Sequence, residues 1–174
     1  MLTDLGAEVI KVEAPVGDLG RLPSVAPYKH LSGLFLTFNR NKKSIVIDLK
    51  TEDGLAVFYD LVKTADIVVD NFRPGVLAKL NVDYDDLKVI NPRIIQCSVT
   101  GFGLEGEYKD LPALDIIIQS ISGLLSITGE KDGPPARVGI PISDLGGGIF
   151  SAQGLLAALY EREKTGVGRR LEVS

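Results

Sequence analysis

The chain is poor in the residue types that mark several classes of protein. Its 174 residues include one cysteine, one histidine, one methionine and no tryptophan. The single cysteine, Cys97, excludes an internal disulfide and a cysteine-rich metal site, and the single histidine, His30, has no metal-ligand neighbours at a fixed spacing. Because Cys97 lies inside the apolar run "RIIQCSVT", we expect a buried strand thiol, and this cysteine usage is typical of the cytoplasm. No metal site is predicted.

Excess positive charge and long apolar segments are missing as well. The 19 lysines and arginines are outnumbered by 23 aspartates and glutamates, whereas nucleic-acid binding proteins normally carry a basic face. The longest apolar stretch, around 116–127, is interrupted by polar residues, so no segment reaches the length of a membrane span. The N-terminal stretch "MLTDLGAEVIKVEAP" lacks the pattern of a signal peptide. We therefore expect a cytoplasmic protein whose partners are neither nucleic acids nor membranes.

The short motifs of several common enzyme classes are also absent. There is no "GxSxG" turn, and a Ser-His-Asp triad would have to use His30. The first strand is not followed by "GxGxxG", and the chain has no "GxxxxGK" phosphate loop. These hydrolase and nucleotide-binding classes are therefore not supported.

Strand patterns rich in Val and Ile alternate along the chain with helix patterns. The strand patterns are "AEVIKVEA", "KSIVIDLK", "ADIVVDNF", "RIIQCSVT" and "RRLEVS". Their apolar residues follow one another without polar alternation, which is typical of a parallel sheet covered on both faces. The sequence therefore predicts an α/β fold with a doubly wound, Rossmann-like parallel sheet and helices on both faces. The two terminal segments look like a helix without its beginning and a strand without its end, so we expect this fold to be incomplete at both ends.

Three helix patterns have features that the structure can test. Thr51 and Asp83 are predicted to cap the helices that follow them. The segment "ALDIIIQSISGLLSITG" predicts a mostly buried helix, because it is almost entirely apolar.

The segment "VGIPISDLGGGIFSAQGLLAALYEREKTG" carries the most distinctive pattern. An apolar run of strand length ends at Ser143, Asp144 follows, and three glycines at 146–148 precede a long helix pattern. A carboxylate at the start of a helix lies beside unpaired N–H groups and the positive end of the helix dipole, which favours its ionised form. Since glycines leave room for a ligand to approach, Asp144 is a candidate nucleophile. The alternative is an ordinary N-cap aspartate followed by glycines that loosen a turn.

Polar and aromatic residues follow two of the predicted strands. Ligands of open α/β sheets bind outside the carboxyl ends of the strands. Phe72 could stack on a flat ring, Arg73 could pair with a phosphate, and Asp48 or Asn71 could bind a ribose or base edge. The alternative is a pair of ordinary strand-to-helix turns. The turn "FNRNKKS" with Arg40, Lys42 and Lys43 is typical of a solvated loop, with a phosphate site as the alternative.

Several segments occur in an order that identifies a family. They are "DLGAEVIKVEAP", "FNRNKKSIVIDLK", "DNFRPGVLAKL", "NPRIIQCSVTGFG", "LDIIIQSISGLLSITG" and "DLGGGIFSAQGLLAALYEREKTGVGRR". Together they resemble the family III CoA-transferases of the CaiB/BaiF type, which include formyl-CoA transferase, carnitine CoA-transferase and α-methylacyl-CoA racemase. The resemblance covers nearly the whole chain. It implies that residues 1–174 are part of the large, CoA-binding domain and that the second domain lies outside the chain.

The resemblance implies a covalent mechanism with two acidic residues. Asp144 matches the nucleophile, which attacks an acyl-CoA and passes through a mixed anhydride to an aspartyl-CoA thioester. Asp115 matches an acidic position near that nucleophile. The substrates would be an acyl-CoA and a carboxylic acid, with coenzyme A as a substrate rather than a permanently bound cofactor.

Two patches match the residues that bind coenzyme A in this family. They consist of Ile47, Asp48, Leu49 and Lys50, and of Asn71, Phe72, Arg73 and Lys79. Many members carry an arginine directly after the "KVE" strand, where this chain has Ala14, and Arg21 in the following loop is a candidate replacement.

Two further expectations come from the resemblance. The racemase branch uses a histidine where this chain has Leu114, so racemisation, the alternative activity, is less well supported than CoA transfer. Full-length members form interlocked homodimers. We therefore expect the 174 residues alone to have little or no transferase activity.

Overall fold

The computed structural model describes residues 1–22 and 31–174. The described chain forms two compact units, Met1–Leu61 and Val62–Ser174. His30 lies outside the described residues.

The first unit is built on a pair of parallel strands. Strands β1 (Val9–Glu13) and β2 (Lys42–Val46) pair in parallel, with Val9 opposite Lys42. Helix α1 (Gly33–Asn39) precedes β2, and helix α2 (Glu52–Val62) follows it. The predicted cap is confirmed, because Thr51 Oγ1 accepts a hydrogen bond from Gly54 N–H at 3.1 Å.

The second unit holds a three-stranded parallel sheet. Its strands are β3 (Ile67–Asp70), β4 (Ile95–Val99) and β5 (Arg170–Val173), in the order β3-β4-β5. The helices are α3 (Val76–Lys79), α4 (Tyr84–Ile90), α5 (Asp115–Ile121) and α6 (Ile142–Thr165). Asp83 and Asp86 form a capping box at the start of α4, as the sequence predicts for Asp83.

The central strand β4 lies at the core of the second unit. Ile95, Gln96 and Cys97 have no exposed surface, and neither has Leu87 of α4. Burial on both faces is what the uninterrupted apolar run predicts for a parallel sheet. The α/β class with parallel strands is therefore confirmed, and the strands are divided between two sheets. The Cys97 thiol is buried as predicted, and burial raises its pKa.

Two local predictions are wrong. The apolar stretch around α5 is largely exposed, since Ile121 and Ile127 expose 57% and 82% of their surface, and it breaks at Gly123. The φ of +81° at Gly123 ends α5 in the left-handed region that glycine tolerates. The run that ends at Ser143 is not a strand, because Pro141 cannot donate to a sheet ladder, and α6 already begins at Ile142.

Helix α6 has 24 residues, whereas the sequence predicts no apolar segment as long as a membrane span. Among the described residues it is the one helix whose length and mean hydropathy reach those of a membrane span. By these two criteria the prediction that no segment is long enough is wrong. The helix packs against β4 and β5, and Leu155 and Ala158 are buried there. These contacts fix the position of its first turn relative to the sheet.

Candidate active site

Asp144 lies in the first turn of α6 and is exposed. The N-cap of this helix is Pro141, which makes no side-chain capping bond. The alternative interpretation of Asp144 as an N-cap is therefore wrong. Within residues 1–22 and 31–174 its carboxylate has no hydrogen-bond or ion-pair partner, so it is available to a ligand.

The pKa of Asp144 is shifted in the direction opposite to the one expected from the helix dipole. Partial withdrawal from solvent raises the pKa of this carboxyl, and the negative charge of Asp115 raises it further. Both effects oppose the stabilisation of the anion that the position at the helix N-terminus predicts. A carboxylate with a raised pKa is more basic, and therefore a better nucleophile once it is ionised.

Asp115 is held beside the same helix turn. It is the first residue of α5 and is half-buried. Its Oδ1 accepts a hydrogen bond from Ser143 N–H at 2.8 Å, and its Oδ2 accepts one from Gln119 Nε2 at 2.6 Å. The structure thus places the two predicted acidic residues next to each other at the start of α6.

The three glycines lie inside α6 rather than in a loop. A Cβ added at Gly147 would lie 3.3 Å from Val99 Cγ1, so this glycine permits close packing on the sheet. A Cβ at Gly146 or Gly148 would meet nothing within 4 Å. Gly148 is one helical turn beyond Asp144 and on the same face. The glycines therefore leave the surface beside Asp144 clear.

The junction after β3 carries one of the predicted ligand-binding patches. Asn71 Nδ2 donates to Val99 O at 2.6 Å, whereas the Phe72 ring is 47% exposed. Phe72 and Arg73 line a cavity of about 70 Å³ together with Arg170. Lys79 ends α3 and is exposed. An aromatic ring and two arginines therefore line one cavity beside the end of β3.

A buried carboxylate forms part of the same cavity. Asp70 accepts hydrogen bonds from Ser98 Oγ at 2.7 Å and from Phe72 N–H at 3.2 Å. Burial raises its pKa, although these two bonds act in the opposite direction. Its contacts fix the backbone from which the Phe72 ring projects.

The junction after β2 carries the second patch, in the other unit. Ile47 is buried, and its N–H donates to Glu13 O at 2.9 Å, so its backbone continues the sheet pairing. Asp48 Oδ1 accepts the Lys50 N–H at 3.0 Å, which closes a tight turn before α2. Leu49 is half-buried within this turn, and Lys50 is exposed.

The comparisons with known proteins agree on one family. The family model for CoA-transferase family III matches residues 1–174. The chain is 47% identical to an acetyl-CoA:oxalate CoA-transferase from Acetobacter aceti and 42% identical to a succinate–glutarate CoA-transferase from Agrobacterium fabrum. All of the chain is covered in both comparisons, and 45% of each relative.

This chain belongs to CoA-transferase family III. Its structure is similar to that of a CAIB/BAIF family protein from Brucella suis, with a TM-score of 0.93 and 40% sequence identity. That match covers 98% of this chain and 46% of the other. The chain thus spans less than half the length of the relatives that it matches.

Arg21 has a partner within this family III chain. Its guanidinium donates two hydrogen bonds of 2.7 Å to the buried Glu13 and lies 4.2 Å from the centre of the Phe35 ring. The pairing lowers the pKa of Glu13 to about 2. Two of its five N–H donors are thus engaged, and the role of Arg21 as a replacement for the arginine absent at Ala14 stays a prediction.

The predicted basic turn is engaged in surface ion pairs. Arg40 pairs with Asp4 at 2.8 Å, and Lys43 pairs with Glu8 at 2.6 Å. Both pairs are exposed, which favours the solvated loop over a phosphate site.

Two residues of the candidate site were not predicted from the sequence. Gln119 contacts Asp115, and Arg170 lines the cavity with Phe72 and Arg73. Arg170 reaches that cavity because β5 pairs with β4, where it stands opposite Gln96. The spacing of Gln119 four residues after Asp115 could have indicated their contact, since side chains at this spacing meet on a helix.

Proposed function

We propose that the protein transfers coenzyme A from an acyl-CoA to a free carboxylic acid, with Asp144 as the covalent nucleophile. One observation carries the proposal. In this family III chain the exposed Asp144 carboxylate has no hydrogen-bond or ion-pair partner among the described residues, and the glycines that follow it in α6 leave the surface beside it free. Coenzyme A takes part as a substrate, and no permanently bound cofactor is required.

The proposed reaction has four displacement steps. An Asp144 oxygen attacks the thioester carbon, the C–S bond breaks, and a mixed anhydride and CoA thiolate form. The thiolate attacks the Asp144 carbonyl, which releases the donor acid and leaves an aspartyl-CoA thioester. An acceptor carboxylate displaces the thiolate to give a second anhydride. The thiolate then attacks the acceptor carbonyl, which gives the new acyl-CoA and frees Asp144.

The electrostatics of Asp144 support such an intermediate. Both causes of its raised pKa, desolvation and the charge of Asp115, act against the ionised carboxylate. Formation of an anhydride or a thioester removes that negative charge. The same two effects therefore favour the acylated enzyme over the free carboxylate.

The two junction patches supply groups suited to coenzyme A. The exposed Phe72 ring can stack on the adenine, and Arg73 and Lys79 can pair with phosphates. In the other unit, the turn of Ile47, Asp48, Leu49 and Lys50 offers backbone groups and an ammonium group. We assign coenzyme A binding to these residues as part of the proposal.

The proposal extends to the setting of the reaction. Residues 1–174 would belong to the large, CoA-binding domain of an interlocked homodimer in the cytoplasm. Leu114, which is 66% exposed, offers no acid or base, which favours transfer over racemisation.

The experiment uses the natural full-length gene product with acetyl-CoA or succinyl-CoA as donor and oxalate, succinate or glutarate as acceptor. Mass spectrometry of the new acyl-CoA measures transfer. Hydroxylamine added during turnover converts an anhydride or a thioester to a hydroxamate, and peptide mapping is expected to find that group on Asp144. A hydroxamate on another side chain would refute the nucleophile, and exchange of the α-proton without transfer would indicate an isomerase.

A further inference from the structure

Gln119 is the one fully buried residue of α5, whose other residues are half-buried or exposed. It has 0% exposed surface, whereas Ile116 and Ile121 of the same helix expose 40% and 57%. A buried amide is stable only when its donor and its acceptor both find partners. The partners of Gln119 therefore indicate what this side chain does.

The amide of Gln119 has one partner at each end. Its Nε2 donates to Asp115 Oδ2 at 2.6 Å, and its Oε1 accepts from Val138 N–H at 3.0 Å. These bonds join the first turn of α5 to the segment that leads into α6. A leucine could form neither bond, and an ionised glutamate would place a second carboxylate against Asp115.

Asp115 in turn is hydrogen-bonded to α6, the helix that carries Asp144. Its second oxygen accepts the Ser143 N–H at 2.8 Å. The N-cap of α6, Pro141, makes no side-chain capping bond, so Asp115 satisfies one of the free N–H groups at this helix end. With a hydrogen bond to each oxygen, the carboxylate of Asp115 has a defined orientation next to the first turn of α6.

We propose that Gln119 is a positioning residue for Asp144. By holding the Asp115 carboxylate and the backbone at Val138, it fixes the first turn of α6 and thereby the nucleophile. The inference rests on the proposed function, because Asp144 needs positioning only if it reacts.

Loss of Gln119 would change both the geometry and the electrostatics of Asp144. Asp115 could turn toward solvent, and Ser143 N–H would lose a defined acceptor. The repulsion between Asp115 and Asp144 would then weaken. Displacement of a reacting group by about 1 Å can lower a rate by about 100-fold.

The test compares three variants of the natural full-length gene product. Gln119→Leu removes both hydrogen bonds with little change in size, and Gln119→Glu, assayed at alkaline pH, replaces the donor to Asp115 with a second carboxylate. Ser120→Ala is the matched control, because Ser120 is the exposed neighbour on the same helix. We expect kcat to fall by about 10- to 100-fold for Gln119→Leu and at least as much for Gln119→Glu, with KM for the acyl-CoA nearly unchanged. Ser120→Ala should retain the wild-type kcat.

The thermal unfolding midpoint separates positioning from a purely structural role. A structural role would reduce the folded fraction and leave kcat per folded molecule unchanged, and that result would overturn the proposal. A crystal structure of Gln119→Leu tests the same point without an assay. We expect Asp115 to leave Ser143 N–H in it, and an unmoved Asp115 would also overturn the proposal. A wild-type protein that transfers no CoA would instead refute the proposed function.

Discussion

The two ends of helix α6 contrast with each other. At its start, Asp144 is exposed, and glycines leave the surface beside it clear. Near its end, Arg162 is only 6% exposed and donates to Asp66 O at 3.3 Å, Arg93 O at 3.2 Å and Asp66 Oδ1 at 2.7 Å. One end is thus anchored to the sheet, and the other is kept open.

The contrast indicates how one helix can serve stability and chemistry together. Gly166, with φ +73°, ends the helix, and its N–H donates to Arg162 O at 2.7 Å. At the start, one acceptor for the free N–H groups comes from another helix, through Asp115. Anchoring at the far end allows the first turn to carry a carboxylate that is not stabilised locally.

Substitution of Asp144 gives the largest expected effect. Asp144→Asn keeps the shape but removes the proposed nucleophile, so we expect kcat for CoA transfer to fall by at least about 10³-fold. The unfolding temperature should stay the same or rise, because the substitution removes a charge that its surroundings disfavour. Asp110→Asn, at an exposed position, is the control and should keep full activity. If Asp144→Asn still transferred CoA, Asp144 would not be the nucleophile, and the start of α6 would have no catalytic role to set against the structural role of its end.

Substitution of Arg162 tests the anchored end. Arg162→Met keeps much of the apolar stem and removes the hydrogen bonds to Asp66 and Arg93, so the free energy of unfolding should fall by about 2 kcal/mol. Chemical denaturation measures this change. Activity per folded molecule should remain near wild type. A large loss of kcat at unchanged stability would contradict the view that this end of α6 serves stability alone.

The control for Arg162 is its ion-pair partner. The side chain of Asp66 is 71% exposed, and the bonds from Arg162 to the two carbonyls survive in Asp66→Asn. This variant should therefore lose less than about 1 kcal/mol.

Glycine substitutions test the open end more finely. Gly148→Ala adds a methyl group to free space within a helix and should raise the free energy of unfolding by about 0.5 to 1 kcal/mol. It should also lower CoA transfer, because the methyl group stands on the face of Asp144 where we propose that the thioester binds. Gly147→Ala should gain less stability, since its Cβ would lie 3.3 Å from Val99 Cγ1. Equal transfer by Gly148→Ala and wild type would show that the cleared surface is not used.

Features of the fold that depend on local sequence could be predicted, and those that depend on packing could not. The Thr51 and Asp83 caps were found because capping needs only neighbours in the chain. The assignment of Asp144 as the nucleophile came from the helix-start pattern and the resemblance, and it stays a prediction with which the exposed position in the first turn agrees. The start of α6 was misplaced, because the apolar run before Asp144 has the composition of a strand and only Pro141 indicates otherwise.

The environment of Asp144 was the hardest feature to predict. The helix dipole suggested a stabilised anion, whereas burial, and after it the charge of Asp115 on α5, raise the pKa of this carboxyl. No local pattern encodes that approach of two helices. Arg170 was missed for a similar reason, since its place at the cavity depends on the pairing of β5 with β4.

The smallest expected effect is the pH dependence that Asp144 gives to stability. Because its pKa is raised in the folded state, its contribution is fully present below the pKa of the unfolded chain, ordinarily 3.8, and is lost as the pH rises through the folded value. Unfolding free energies measured from about pH 3.5 to 7 should therefore decline less for Asp144→Asn than for wild type. In an Asp115→Asn background the Asp144→Asn change should alter the slope less, because the repulsion between the two residues is already gone. Slopes are compared rather than absolute values, since Asp115→Asn also disturbs the bond to Gln119 at every pH. An equal slope change in both backgrounds would mean that desolvation alone raises the pKa of Asp144, and that partial burial, not the acidic neighbour, tunes the carboxyl at the open end of α6.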